Sequence, residues 1–89
     1  MKMHNWIFKH GTSFDIVNEL SRITNCPAEP LVEAAAFIAN YRPIDVRLAL
    51  GNAVWANGVF SNVDSDEPCS RLEVWMSTEY GDHLITVDI

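Results

Sequence analysis

Two short runs near the C-terminus alternate apolar and polar side chains around a glycine-containing turn. That pattern leaves the end of this chain little choice but a β-hairpin. Arg71-Leu72-Glu73-Val74-Trp75-Met76-Ser77 puts Leu72, Val74 and Met76 on one face. Glu79-Tyr80-Gly81-Asp82 reads as the turn, and His83-Leu84-Ile85-Thr86-Val87-Asp88-Ile89 alternates again, with Ile85, Val87 and Ile89 inward. Strand side chains repeat with period two, so each run presents one apolar and one polar face. Trp75 falls on the polar face, beside Arg71, Glu73 and Ser77. The expected core set is Leu72, Val74, Met76, Ile85 and Val87.

Upstream the period changes. Met3 to Lys9 is aromatic and β-branched enough to read as a short strand. His10-Gly11-Thr12 is a turn. Ser13 is a suitable N-cap, and Asp15 suits the positive end of a helix dipole. Val17, Leu20 and Ile23, with Ile16 beside them, give a helical stripe, which should stop near Asn25 because Cys26 precedes Pro27. A second helix starts around Pro30, buries Leu31, Ala35, Ile38 and Tyr41 or Arg42, and turns Glu33 and Asn40 to water. Ala34-Ala35-Ala36 gives it a thin side-chain layer, and Arg42-Pro43 ends it. Residues 43–57 carry two patterns. Ile44, Val46, Leu48 and Leu50 alternate like a strand, which would pair 43–50 with 53–60 across Gly51-Asn52. Pro43 at a helix start, a face of Ile44, Leu48 and Trp55, and Asn57-Gly58 as a stop favour a helix. We read a helix there. Residues 61–70 form a polar loop. The expectation is a single α+β domain over 1–89, order β-α-α-α-β-β, with a short antiparallel sheet carrying helices on one face.

Length and charge bound the function. Eighty-nine residues make one domain, which buries roughly 60–65% of its unfolded surface. Three tryptophans and an apolar fraction of 48% supply a core. No apolar stretch approaches a membrane span, and the N-terminus has no secretory pattern, so a cytoplasmic site is expected. Cys26 and Cys69 show neither zinc spacing nor a disulfide framework, and read as reduced thiols. The formal net charge is −6, and the excess lies in one place. Residues 1–28 are net +1 and residues 29–58 net −1. Residues 59–89 carry Asp64, Asp66, Glu67, Glu73, Glu79, Asp82 and Asp88 against Arg71 alone, net −6. Such a sector repels nucleic acid and anionic membrane and attracts a basic protein surface.

Few residues suggest chemistry. Asn62, Asp64, Asp66 and Glu73 fall at positions one, three, five and twelve of an EF-hand-like loop. Glu67 stands where that loop needs glycine, Pro68 follows, and a strand rather than a helix exits, so calcium is not expected. His4, His10 and His83 are too scattered to imply a metal site. No GxSxG motif or oriented base supports nucleophilic catalysis. Glu73, Glu79 and Asp82 could form an acid–base carboxylate pair, but a hydrated strand face and turn accounts for them. Only Arg42 and Arg47 would face phosphates from the third helix of a helix-turn-helix, too few for a DNA-binding stripe.

These observations point away from an enzyme and toward a protein that binds another protein, without cofactor or metal. Asp64, Asp66, Glu67, Glu73, Trp75, Glu79 and Asp82 are the expected partner-binding residues. The carboxylates would steer a basic partner, and Trp75 would anchor it unless the N-terminal strand or a helix packs over that face. The specific expectation is a small inhibitor that covers a nucleic-acid-binding surface by imitating its charge. Phage anti-defence proteins, including anti-CRISPRs, share this small, acidic, motif-free character. The alternatives are a structural or regulatory subunit of an oligomer that uses an apolar helical face, or an immunity protein that neutralises a toxin.

Overall fold

A computed structural model describes residue 8 and residues 11–51, 53–56, 59–61 and 71–89. Among the described residues two α-helices with defined ends precede the sheet. Helix α1 spans Ser13–Thr24. A 3₁₀ turn over Glu29–Leu31 leads into α2, Val32–Tyr41. Five strands follow: β1 Asp45–Leu50, β2 Ala53–Ala56, β3 Val59–Ser61, β4 Arg71–Thr78 and β5 Gly81–Asp88. They form one sheet in the order β3-β2-β1-β4-β5, with every neighbouring pair antiparallel. Its α+β class, with helices on one face, matches the expectation from sequence. The element order does not.

Helix α1 is capped by Thr12, not Ser13. The Thr12 hydroxyl accepts a bond from the Asp15 N–H at 3.2 Å, and the Thr12 N–H donates to the Asp15 carboxylate at 3.2 Å. This reciprocal box needs the acidic residue three positions after the cap, and Asp15 stands in that relation to Thr12. The buried stripe runs Ile16, Leu20, Thr24, with Val17 and Ile23 at its margin. Asn25 ends the helix in the left-handed region at φ 55°, a geometry asparagine tolerates better than most residues. Cys26, a free thiol, is buried just beyond. Cys69 and its pairing lie outside the described residues. On the solvent side Arg22 Nε donates to Glu19 at 3.2 Å, and this contact raises the Arg22 pKa.

Helix α2 buries Ala34, Ala35 and Ile38, with Leu31 at its entrance. Glu33 and Asn40 face water. Arg42 closes it at φ 50°, its N–H bonding the Ile38 carbonyl.

The third helix expected over 43–57 is absent. Val46 and Leu48 point inward from β1 while Arg47 points outward. Leu50 faces Ala53 across a two-residue turn in which Gly51 takes φ 62°. Glycine reaches that region at almost no steric cost, whereas inside a helix it would weaken the structure. The alternation therefore prevails over the helical face. The strand reading is itself refined, because 53–60 is not one strand: Ala56 pairs with Val59, dividing it into β2 and β3. The strand expected over 3–9 is also corrected at Phe8, which is helical; its other residues lie outside the described set.

The C-terminal hairpin forms as expected, but its turn is only Glu79-Tyr80: Thr78 pairs with Gly81, so Gly81 and Asp82, expected in the turn, belong to β5. Leu72 faces Val87, Val74 faces Ile85, and Met76 faces His83. Leu72, Val74, Met76 and Val87 are buried, and Ile85 is half-buried. Ile89, expected inward, lies beyond β5 and is exposed. The core between sheet and helices holds these residues together with Val46, Leu48, Ile16, Leu20, Leu31 and Ile38. Phe8 closes it over β2, its ring edge-on to Trp55 at 5.7 Å.

Leu48 is fully buried in the central strand, so Leu48→Ala should cost about 2–5 kcal/mol in urea unfolding. Thr12→Ala should cost about 1 kcal/mol, whereas Ser13→Ala should stay within about 0.5 kcal/mol. Equal losses at the two positions would contradict the capping assignment.

Candidate functional site

Period two sends the other half of each strand's side chains to the opposite face of the sheet. The described helices pack only on the inner face, through Val46, Leu48, Leu72, Val74 and Met76. The outer face can be drawn from the registers. Its middle row runs Leu84 on β5, Trp75 on β4 and Arg47 on β1. The next row holds Thr86, Glu73, Ala49, Val54 and Ser61. On the other side lie Asp82, Ser77 and Asp45. Directly opposed side chains in such a ladder stand about 4.5–5.5 Å apart at Cβ, close enough to interact.

Trp75 is the largest group on this surface and is 41% exposed. Arg47, Ala49, Val54 and Trp75 line a shallow concavity of about 240 Å³. Its lining is therefore an indole, two small apolar side chains and a guanidinium. Leu84, 48% exposed, extends the apolar strip toward β5.

The carboxylates surround this centre rather than converge on it. Glu73 is half-buried on the same face, Asp82 is exposed on it, and Glu79 is exposed in the turn between β4 and β5. Glu73 pairs with Thr86, which lies four residues along β5 from Asp82. At about 3.3 Å per residue the two carboxylates are roughly 13 Å apart, too far to share a proton. The geometry thus gives no acid–base pair from Glu73 and Asp82. Arg71 and Asp88 approach to 3.9 Å at one end of the sheet, both well exposed. Such pairs contribute little to stability.

Of the seven expected partner-binding residues, the fold brings Glu73, Trp75 and Asp82 to one face and puts Glu79 at its margin. Asp64, Asp66 and Glu67 lie outside the described residues, as do Asn62, His4 and His10. Among the described residues no cluster of three metal-ligating side chains occurs. His83 faces the core side, stacked on Tyr41 at 4.6 Å between ring centroids.

Arg47 and Leu84 are the site residues that sequence reasoning missed. A helix over 43–57 puts Arg47 where it could not neighbour Trp75. The alternation over 44–50, followed by Gly51-Asn52, is the signal that would have placed it on a strand beside Trp75.

Comparison of the chain with protein-family models, with curated proteins and with solved structures finds no match in any of the three.

The two described tryptophans should separate cleanly. Trp55 is buried, so Trp55→Ala should cost about 3–5 kcal/mol. Trp75→Ala should cost about 1 kcal/mol or less. Iodide should quench a fluorescence component that Trp75→Phe removes, and should not reach the one that Trp55→Phe removes.

Proposed function

We propose that this chain is a non-enzymatic acidic interaction protein that docks on a basic, nucleic-acid-binding surface of a partner protein and so inhibits it. The observation that carries the reading is the exposed Trp75 at the middle of a sheet face on which no described helix packs. An aromatic side chain in a central, shallow hollow matches the composition of interface hot spots. A partner arginine can stack on the indole, because the ring face attracts cations. Glu73, Asp82 and Glu79 lie around that contact and can pair with further basic groups.

The charge distribution supplies the second half of the mechanism. The final third of the chain is net −6, including Asp64, Asp66 and Glu67 in the preceding loop. Surface carboxylates raise the encounter rate with a basic partner and contribute less once the complex has formed. A desolvated tryptophan does the opposite, slowing dissociation. Occupying the phosphate-binding groups of the partner would exclude its nucleic acid by simple competition. An inhibitor of this kind, as phage anti-defence proteins are, needs neither cofactor nor metal.

The partner is captured from the native host and identified by mass spectrometry, and its binding is followed by surface plasmon resonance at two salt concentrations. Reversing Asp64, Asp66 and Glu67 to lysine should slow association about tenfold or more at low salt, with dissociation little changed. Trp75→Ala should speed dissociation by a similar factor. Bound nucleic acid should be displaced from the partner by the wild type. A triple reversal that associates as fast as wild type at low salt would reduce the loop to a solubilising surface and remove the charge-mimic reading.

A further inference from the structure

The sheet ends at β5, and among the described residues nothing pairs with its outer side. The ladder itself shows which backbone groups face that edge. The Ser77 carbonyl accepts a bond from the Ile44 N–H at 2.7 Å, so the Ser77 main chain is turned toward the β1 side of β4. Alternation then directs Thr78, Met76, Val74 and Leu72 to β5, where they face Gly81, His83, Ile85 and Val87. The intervening residues, Asp82, Leu84, Thr86 and Asp88, turn their N–H and C=O groups to the open edge.

Sheet edges are usually guarded by proline, lysine, a bulge or short length. Strand β5 is eight residues long, has neither proline nor lysine, and keeps an unbroken register with β4. Its only carboxylates are Asp82 and Asp88, one near each end. Exposed apolar groups flank the edge on both faces. Leu84 lies on the outer face. On the helix side, Phe37 stacks on Tyr41 and Tyr41 on His83, and Phe37 is 39% exposed.

We propose that this edge pairs antiparallel with the same edge of a second copy of the chain, with the two Leu84 residues directly opposed. Asp82 then faces Thr86 of the copy, His83 faces Ile85, and Gly81 faces Val87. The open groups of Asp82, Leu84 and Thr86 exchange two hydrogen bonds per facing pair, about six in all. Charge selects this register. Moving the two-fold axis one residue, to Ile85, sets Asp82 against Asp88 twice, and directly opposed like charges destabilise a ladder. Moving it to His83 shortens the pairing to Gly81–Ile85. At the Leu84 register the outer face gains a continuous apolar row of Trp75, Leu84, Leu84 and Trp75 across the four central strands of a ten-stranded sheet. On the helix side, Ile85 lines a groove of about 300 Å³ with Pro30, Glu33 and Ala34, which leaves room for the copy's His83.

The pairing is independent of the docking function, because it leaves the Trp75 face open. The two respond to salt with opposite sign. Each copy is net −6, so screening strengthens self-association while it weakens binding to a basic partner.

Sedimentation equilibrium of the full chain tests the proposal. The wild type should show a monomer–dimer equilibrium whose dimer fraction rises with salt. Thr86→Pro deletes an N–H that faces the open edge and is unused by β4, a position where an edge strand accepts proline. Leu84→Lys sets two ammonium groups face to face. Both should dimerise about tenfold or more weakly, with the far-ultraviolet circular dichroism of the wild type. If the proline variant unfolds, the lysine variant decides alone. A wild type that stays monomeric to about 1 mM at high salt, or a dimer that Leu84→Lys leaves at full strength, would overturn the proposal.

Discussion

The pairing of β1 with β4 is the contact on which the rest of the fold depends. It joins segments separated by more than 20 residues and aligns Val46 with Met76, Leu48 with Val74 and Leu50 with Leu72. Those three pairs line the core face at the middle of the sheet. The same register sets Arg47 opposite Trp75 on the outer face. One ladder therefore organises both the interior and the candidate binding surface. A slip of one residue would exchange the two faces, burying Arg47 and exposing Leu48. The cost of burying an unpaired guanidinium makes that slip inaccessible.

Cover on the inner face comes from a thin layer. Ala34 and Ala35 let α2 lie close against its neighbours, while Leu31 and Ile38 fill the ends of its apolar stripe. Helix α1 adds Ile16 and Leu20, and Phe8 meets Trp55 where β2 would otherwise be open. A chain this short has few side chains to spend on a second layer, since small domains bury a smaller share of their surface. The outer face consequently keeps a tryptophan and a leucine in contact with water, together with charged groups. Trp75 and Leu84 adjoin at the middle of that face, with Arg47, Glu73 and Asp82 around them.

The described carboxylates of the last third belong to the same arrangement. Glu73, Asp82 and Asp88 reach the outer face through period two, and Glu79 sits in the turn beside it. Apolar residues alternate with them on the core side. Where the strand passes, charge is sorted outward and apolar groups inward by backbone geometry alone, so a carboxylate-rich strand makes a carboxylate-rich face.

Local sequence determined the elements whose signals had no competitor. The hairpin of β4 and β5 was legible because seven residues on each side alternate around Gly81. Helix α1 ended where Pro27 forced it to, and α2 where Arg42 and Pro43 did. The placement of Trp75 opposite Leu72, Val74 and Met76 followed from the same period. Tertiary structure decided the rest. Residues 43–57 fit a helical face and an alternating strand about equally, and short apolar runs do not separate the two. What resolves them is β4, an edge that only a strand can use, since the ladder supplies hydrogen bonds a helix would have made within itself. Ile85 is half-buried and Ile89 exposed because β5 is the last strand, a fact of sheet order. Arg47 became a neighbour of Trp75 for the same reason, while Leu84 did so because the hairpin turn is two residues long and not four. Side-chain period is a property of each segment, but strand order is set by pairing between distant segments, and no segment carries it alone.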